Sequence, residues 1–323
     1  MCTAITFQTK DHYFGRNLDF ECSYGESVTI TPRNYPLPFR CLPTIANHYA
    51  IIGMATIDNN YPLYYDATNE KGLSMAGLYF PGNAVYQPIN KTMCNVAPFE
   101  FIPWVLCQCE NTAQAKILLS SINLADITYS KSYPQSPLHW IVADRHAAIV
   151  IEPRRNGLEI FDNPIGVLTN NPPFDYHMHN LSNYLNLTSE EATNRFAPGF
   201  KIEAYSRGMG AIGLPGDLSS ASRFIRAAFT KLNAVCDPTE QSSVSQFFHV
   251  LGAVAQQRGC AKIGNNYERT IYTSCCNTDK GIYYYTTYDN SQITAVQLAN
   301  CNLESDLLTT FPLVAKQQLF CQN

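Results

Sequence analysis

The residue with the clearest chemical potential is Cys2, which directly follows the initiator methionine. Initiator methionines are normally removed when the second residue is as small as cysteine, so we expect a mature chain that begins at Cys2. Such a residue carries a thiol and an α-amine on one Cα, and an amine with a reference pKa of about 7.7–8.0 can act as a base near neutral pH. A nucleophile with a built-in base is the N-terminal-nucleophile arrangement. Cys2 also fits a second interpretation, a surface cysteine that precedes an ordinary hairpin.

The residues after Cys2 predict the hairpin that would position it. Residues 4–7, Ala-Ile-Thr-Phe, favour a strand, and residues 13–20 favour its antiparallel partner. Pairing of the two would bring Arg16 or Asp19 beside Cys2. A fixed guanidinium favours the thiolate form of a cysteine, and a carboxylate can orient an α-amine. The alternative for these two residues is a plain salt-bridged pair on the hairpin.

The composition indicates a globular protein with a sizeable core. The 323-residue chain is 46% hydrophobic and 15% charged, which argues against disorder. Its formal net charge is −4 and its basic residues are scattered, so we expect no nucleic-acid partner. No apolar run approaches the length of a membrane span, so we expect no membrane partner.

Twelve cysteines lie along the chain without a regular disulfide framework. Cys107-Gln-Cys109 and Cys275-Cys276 lack the spacing of a zinc knuckle or a redox CxxC motif, so we expect no metal site. We also expect no signal peptide before Cys2. We therefore interpret the cysteines as reduced, mostly buried thiols of a cytoplasmic protein.

The predicted elements follow the order strands, two helices, strands, two helices, strands. Because no linker or repeat divides them, we expect a single domain over residues 1–323. Segregated helices and antiparallel strands indicate an α+β layered fold, with two stacked, mostly antiparallel sheets and a helix pair outside each. The predicted helices span residues 98–109, 113–121, 219–232 and 242–256, with a short one that begins at Asn180.

Eight short motifs, spread nearly end to end, resemble those of the choloylglycine hydrolase family, which contains bile salt hydrolases and penicillin V acylases. Together they are highly specific because they occur in the family's order. The resemblance implies the family's N-terminal-nucleophile αββα sandwich, in agreement with the layers predicted above. The motifs are Cys2-Thr-Ala-Ile5, Phe14-Gly-Arg-Asn-Leu-Asp19, Asn69-Glu-Lys-Gly-Leu73, Gly166-Val-Leu-Thr-Asn170, Gly213-Leu-Pro-Gly-Asp217, Ser222-Arg-Phe224, Tyr272-Thr-Ser274 and Tyr288-Asp-Asn290.

The resemblance implies five catalytic residues. Cys2 would attack the amide carbon, and its α-amine would carry the proton. Asp19 would hold that amine, and Arg16 would polarise the thiol. Asn170 would donate to the oxyanion, and Arg223 would steady the developing charge. The alternatives are a strand-end turn residue at Asn170 and a helix-surface ion pair at Arg223. The family's reaction needs no metal or cofactor.

One position departs from the bile salt hydrolase pattern. These enzymes usually carry asparagine where this chain has Tyr79, and penicillin V acylases tend to carry tyrosine there. The resemblance implies hydrolysis of glycine- or taurine-conjugated bile salts. The alternatives are a penicillin V acylase with the same machinery and a non-catalytic protein that binds sterol-like amphiphiles.

Four further residues are candidates for the wall that receives the substrate's acyl part. Leu18 lies beside Asp19, and residues 125–138 offer three apolar or aromatic side chains. Tyrosines with apolar faces and polar tips suit a sterol that carries hydroxyls, although plain loop packing would use them equally well. These three side chains are Tyr129, Tyr133 and Leu138. The family resemblance also implies a homotetramer.

Overall fold

The computed structural model describes residues 1–197 and 199–323. The strands are β1 (Cys2–Gln8), β2 (His12–Phe20), β3 (Ser27–Thr31), β4 (Ile51–Asp58), β5 (Tyr61–Asn69), β6 (Ser74–Tyr79), β7 (Cys94–Val96), β8 (Ile122–Leu124), β9 (Leu138–Ala143), β10 (Ala148–Arg154), β11 (Gly157–Asp162), β12 (Val167–Leu168), β13 (Ala261–Ile263), β14 (Asn266–Asn277), β15 (Ile282–Thr287), β16 (Asn290–Gln297) and β17 (Thr309–Pro312). The α-helices are α1 (Phe101–Leu106), α2 (Thr112–Leu119), α3 (Phe174–Asn180), α4 (Ser220–Leu232) and α5 (Glu240–Gly252).

Two large antiparallel sheets hold most of the strands. The first has the order β12-β1-β2-β14-β15-β16, with β13 paired to β14, and the second has the order β11-β10-β9-β6-β5-β4-β3-β17. Strand β6 of the second sheet contacts β1 and β2 of the first. The sheets therefore face each other at the N-terminus of the chain.

Side-chain alternation explains why the second sheet is covered on both faces. On β4, Ile52 and Met54 enter the core shared with the first sheet, whereas Ile51 and Ala55 enter the core beneath α1. Successive residues of a strand point to opposite faces, so apolar residues at every position predict burial of both faces. The apolar run Ile-Ile-Gly-Met-Ala of β4 therefore indicates a strand that is buried on both faces.

The helices complete the two outer layers. Helices α4 and α5 pack on the first sheet, and α1 packs on β5 and β6 of the second. Ser219 caps α4 by accepting a hydrogen bond from the main-chain N–H of Ser222, and Asn111 caps α2 in the same way with Gln114. The αββα prediction is confirmed.

Several predicted boundaries were wrong. The helix predicted over residues 98–109 is a 3₁₀ turn followed by the short α1, which ends at Leu106. Pro103 is the third residue of α1, where a missing N–H costs no helical hydrogen bond. The short helix predicted from Asn180 is a 3₁₀ helix over Leu181–Tyr184, which continues the unpredicted α3. Helix α5 begins two residues before its predicted start and ends at Gly252.

Strand β17 was not predicted. It spans Thr309–Pro312 and pairs with β3 at the edge of the second sheet. Its four residues are too few for a clear alternating pattern, and proline at its end is tolerated because the strand is at an edge. Long-range pairing creates this element, so local propensity does not reveal it.

Among the residues that the structure describes, no helix has the length and apolar character needed to cross a membrane.

Candidate active site

Cys2 is the first residue of β1, and it faces the space between the sheets. It pairs with Leu18 across the β1–β2 ladder, and only 4% of its surface is exposed. The residue forms part of the wall of a cavity of about 270 Å³. The hairpin therefore places Cys2 in the wall of a pocket, not on the protein surface.

The main chain of Cys2 is held by Asn170 and Arg223. Its N–H donates to Asn170 Oδ1 at 2.7 Å, and Arg223 Nη2 donates to the same oxygen at 2.8 Å. Arg223 Nη1 donates to Cys2 O at 2.5 Å and to Thr3 Oγ1 at 2.7 Å. Arg223 is completely buried, so the helix-surface alternative for it is wrong. Burial lowers the pKa of Arg223, while the nearby Asp19 and Cys2 oppose that change.

Asn170 has a fixed amide orientation. Its Oδ1 accepts the two donors just described, so its Nδ2 must be the atom that donates to the Tyr79 carbonyl oxygen at 2.7 Å. An amide nitrogen carries two hydrogens, and this contact uses one. The second hydrogen is the feature that an oxyanion donor needs.

Asp19 is buried below the N-terminus. Its Oδ1 accepts a hydrogen bond from Thr270 Oγ1 at 2.6 Å, and its Oδ2 has no hydrogen-bond partner among the described residues. Burial raises the pKa of the Asp19 carboxyl, and the positive charge of Arg223 acts against that rise. An ammonium group close to Oδ2 would satisfy this oxygen.

In the described chain Met1 still precedes Cys2, and it extends the β1–β2 pairing by one residue. The Asp19 N–H donates to Met1 O at 2.9 Å, and the Met1 amine donates to Asp19 O at 2.9 Å and to buried Glu268. The nitrogen of Cys2 is therefore an amide here. An amide nitrogen is not a base, so the N-terminal-nucleophile chemistry requires removal of Met1.

Arg16 lies on the same face of β2 as Leu18 and reaches across to the second sheet. Its Nη1 donates to Tyr65 O at 3.1 Å and to Gly77 O, and its Nη2 has no hydrogen-bond partner among the described residues. Arg16 also lines the cavity. Burial by itself lowers the pKa of Arg16, but the surrounding Cys2, Tyr272, Asp66 and Asp19 give a net increase. The guanidinium is thus charged beside the thiol.

All five residues predicted for substrate binding line the cavity: Leu18, Tyr79, Tyr129, Tyr133 and Leu138. Tyr79 is 41% exposed, so its ring lies at the opening. Tyr129 is also packed against other aromatic rings, with ring centroids 5.0 Å from Phe99 and 6.0 Å from Tyr61. Tyr129 therefore both packs against neighbouring aromatic rings and lines the cavity. Further apolar parts of the wall, which we did not predict, come from Phe20, Tyr24, Tyr65, Phe99, Ile102 and Ile127.

No cluster of three or more histidine, cysteine, aspartate or glutamate side chains able to hold a metal ion occurs in the part of the chain that the structure describes.

Comparison with known proteins identifies the family. The sequence model of the linear amide C–N hydrolases, choloylglycine hydrolase family, matches residues 2–311. The chain belongs to the choloylglycine hydrolase family. Its similarity to the "Bile salt hydrolase/transferase" of Lactiplantibacillus plantarum is 53% identity, with 100% of both chains covered. Its similarity to the protein of that name from Clostridium perfringens is 38% identity, with 96% of each chain covered.

Solved structures of family members superpose on this fold. A variant of the conjugated bile acid hydrolase from Clostridium perfringens matches with a TM-score of 0.92 at 36% identity, covering 100% of each chain. The penicillin V acylase from Agrobacterium tumefaciens matches with a TM-score of 0.75 at 16% identity, covering 97% of this chain and 92% of that one. The second match concerns the fold alone.

Two residues that sequence reasoning missed hold Asn170 in this choloylglycine hydrolase family site. The Asn170 N–H donates to Ser220 Oγ at 2.8 Å, and His177 Nε2 donates to Asn170 O at 2.9 Å. Burial lowers the pKa of His177 to about 4, so its ring is neutral and only the nitrogen that carries the proton can donate. Ser220 is the first residue of α4, and its position in the sequence indicates only a helix start. No local pattern around His177 indicates its contact, which depends on the tertiary fold.

Proposed function

We propose that this protein is a cysteine amidohydrolase that cleaves the amide bond of glycine- or taurine-conjugated bile salts. The observation that carries the proposal is the position of Cys2, with its nitrogen held by Asn170 and its thiol facing an aromatic cavity. Family membership gives the reaction class, linear amide C–N hydrolysis. The names of the relatives described above support bile salts as the substrate class.

The proposed reaction begins with a mature chain in which the α-amine of Cys2 is free. The thiol transfers its proton to this amine, and the sulfur attacks the amide carbon. Collapse of the tetrahedral adduct breaks the C–N bond, and the leaving amine takes the proton from the α-ammonium group. The cholyl thioester then reacts with water, and the amine again accepts and returns a proton.

The oxyanion of the adduct would be stabilised by main-chain and amide donors at the end of β6. The second hydrogen of Asn170 Nδ2 and the main-chain N–H of Tyr79 are the two candidates. Removal of one such donor typically costs about 100- to 1000-fold in rate. Arg223 supports the same step because its guanidinium fixes Asn170 through Oδ1.

The experiment is release of free amine from three substrates, glycocholate, taurocholate and penicillin V. The proposal predicts turnover of at least one bile salt at a higher kcat/KM than penicillin V. A preference for penicillin V would favour the acylase. Binding of bile salts without release of amine would favour the non-catalytic amphiphile-binding protein.

We also propose that the protein assembles as a homotetramer. Four described residues of this chain carry apolar side chains that are largely exposed in the single chain, and a large exposed apolar surface marks a protein contact. The exposed fractions are 87% for Leu185, 93% for Phe196, 69% for Phe200 and 86% for Tyr205. Light scattering after gel filtration should give a tetramer, and Phe196→Ser combined with Phe200→Ser should reduce it. Ile117→Ser, which changes an exposed apolar residue elsewhere, should leave the tetramer intact.

We further propose a cytoplasmic location. Each of the twelve cysteines is a free thiol among the described residues, and Cys22, Cys41, Cys260 and Cys321 are exposed. Exposed free thiols suit a reducing compartment. Cell fractionation followed by an activity assay tests this placement, and activity recovered chiefly outside the cytoplasm would contradict it.

A further inference from the structure

A buried carboxylate, Asp66, lies between the two sheets, below the candidate active site. It belongs to β5 of the second sheet, and its side chain is received by hydroxyl groups of β14 and β15 in the first sheet. Oδ2 accepts from the Tyr272 hydroxyl at 2.6 Å, and Oδ1 accepts from the Tyr283 hydroxyl at 2.6 Å and from Ser274 Oγ at 3.2 Å. Only 1% of Asp66 is exposed. A carboxylate at this depth is tolerated because it is so fully hydrogen-bonded.

Asp66 is connected to Arg16 through Ser274. The Arg16 main-chain N–H donates to Ser274 Oγ at 3.1 Å, so one hydroxyl joins the arginine to the carboxylate. The guanidinium also donates to the carbonyl oxygen of Tyr65, the residue before Asp66, at 3.1 Å. Strand β5 thus contacts the arginine directly through Tyr65 O and is linked to it a second time through Asp66 and Ser274.

The charges of Asp66 and Arg16 support each other in this dry region. Burial raises the pKa of the Asp66 carboxyl, and Arg16 is the strongest influence against that rise. Arg16 is itself completely buried, and Asp66 is one of the groups that favour its charged form. Removal of one partner leaves the other charge buried and less well compensated, which is strongly unfavourable in a low-dielectric interior.

We propose that Asp66 is a positioning residue for amide cleavage, which holds Arg16 where its guanidinium faces Cys2. The inference rests on the proposed function, because Arg16 borders the cavity together with Cys2. Asp66 is not one of the residues that line the cavity. Its effect on catalysis is transmitted through Ser274 and Arg16.

The same hydrogen bonds tie the two sheets together, so the experiment must separate positioning from folding. A double-mutant cycle does this with Asp66→Asn, Arg16→Lys and the combination, each assayed for kcat and KM with glycocholate. Asparagine keeps the shape of the side chain and removes the charge. We expect Asp66→Asn to lower kcat by about tenfold or more with a much smaller change in KM.

The positioning role also predicts that the two substitutions are not additive. Once Arg16→Lys has removed the guanidinium, Asp66→Asn should lower kcat by less than about threefold further. A role restricted to folding predicts equal effects of Asp66→Asn in both backgrounds. Equal effects would therefore overturn the proposal.

A matched control is Asp144→Asn, which changes another buried carboxylate. Asp144 is 8% exposed and accepts hydrogen bonds from Thr112 and from the main-chain N–H of His146. It has no contact with Arg16. We expect this variant to lose stability without a change in kcat.

A second variant, Ser274→Ala, removes the hydroxyl that links Arg16 to Asp66 and keeps the carboxylate. We expect it to fold and to lower kcat in the same non-additive way with Arg16→Lys. Parental kcat in Asp66→Asn or Ser274→Ala overturns the proposal, as does failure of both to fold while Asp144→Asn folds. An unmodified protein that cleaves neither glycocholate nor taurocholate instead contradicts the proposed function, and the cycle is measured with whichever of the two bile salts the unmodified protein cleaves.

Discussion

The main chain and the side chain of Cys2 have different environments. Its nitrogen and carbonyl oxygen are held by Asn170 and Arg223, whereas its thiol faces the cavity. The contacts that place the residue therefore do not involve the sulfur. A change confined to the sulfur should alter the chemistry and leave the placement intact.

We predict that Cys2→Ser loses nearly all activity and keeps the fold. An alkoxide forms far less readily than a thiolate near neutral pH. Circular dichroism and amine release, measured in parallel, test this. The matched control is Cys107→Ser, which changes a buried cysteine that does not line the cavity and should retain activity. Activity of Cys2→Ser within about tenfold of the parent, a barrier change of only about 1.4 kcal/mol, would remove Cys2 from the mechanism.

We predict that Tyr79→Asn changes the choice of substrate without abolishing turnover. The Tyr79 ring lies at the opening of the cavity, and its main-chain carbonyl contact with Asn170 does not depend on the side chain. Asparagine brings an amide that can donate to a carboxylate or sulfonate, and a hydrogen bond to a charged group contributes about 1.5–3 kcal/mol. The three-substrate ratio of kcat/KM should move toward bile salts.

The control for that ratio is Tyr49→Asn, at a partly buried tyrosine that does not line the cavity. If the kcat/KM values for all three substrates are unchanged in Tyr79→Asn, or fall by the same factor, Tyr79 is not a selectivity position. The doubt that tyrosine raises about the bile salt assignment would then disappear.

At this scale the sequence was informative where a residue belongs to a motif. Cys2, Arg16 and Asp19 could be placed together because one hairpin carries all three. Asn170 and Arg223 came from the resemblance, since no local pattern brings them to residue 2. Asp66 and His177 could not be found, because their partners lie far along the chain.

At the scale of elements, Gly15 explains how β2 and β14 can lie so close. A Cβ at this position would be 2.0 Å from the Ser274 carbonyl oxygen. Any side chain must therefore push the two strands apart. Because β2 carries Arg16 and β14 carries Ser274, this contact is part of what positions the arginine.

We predict that Gly15→Ala destabilises the protein by at least about 1–3 kcal/mol, the usual cost of overpacking a core. Urea unfolding followed by circular dichroism measures it. Gly252→Ala is the control, because nothing lies within 4 Å of its Cβ. Equal midpoints for Gly15→Ala and the parent would show that the strands separate at no cost.

Helix α4, which carries Arg223, has an acidic cap that should make its stability depend on pH. Asp217 accepts from the Ser219 N–H at 2.9 Å and from Ser222 Oγ at 2.5 Å. Hydrogen bonds from Ser219 and Ser222 lower the pKa of Asp217 to about 2. Because the pKa of Asp217 is lower in the folded state than its unfolded value of about 3.9, the carboxylate stabilises the protein at pH values above about 3.9. This stabilisation is lost as the pH falls toward about 2.

We predict that Asp217→Asn lowers the free energy of unfolding at about pH 6. The difference in this free energy between variant and parent should be smaller at about pH 3. The midpoints of urea unfolding at the two pH values check this. A difference that is equal at both values would show that the carboxylate charge does not stabilise the cap.

Element types were easier to predict than element ends. The capping residues Asn111 and Ser219 and the continuous apolar run of β4 are local signals, and they agree with the observed α2, α4 and β4. Strand β17 depends on an edge pairing with β3, and the unpredicted α3 starts after Pro173 and not at the polar residues near Asn180. Local propensity contains neither fact.

At the scale of the whole molecule, the fold brings together residues that lie far apart along the chain. Cys2 begins β1, Asn170 follows β12, and Arg223 lies on α4. Tyr79 ends β6 of the opposite sheet. The layer order was predictable from the alternation of helical and strand segments. The register between the sheets was not, because it is set by contacts such as Arg16 with Gly77 and Asp66 with Tyr272.

We propose that catalysis requires the free α-amine of Cys2. The most direct test uses a fusion protein in which a protease removes everything that precedes Cys2. Amine release from glycocholate and the intact mass are followed together during cleavage. We predict no activity in the uncleaved fusion. During cleavage, activity should rise in proportion to the fraction of chains that begin at Cys2. Equal activity before and after cleavage would contradict the proposal.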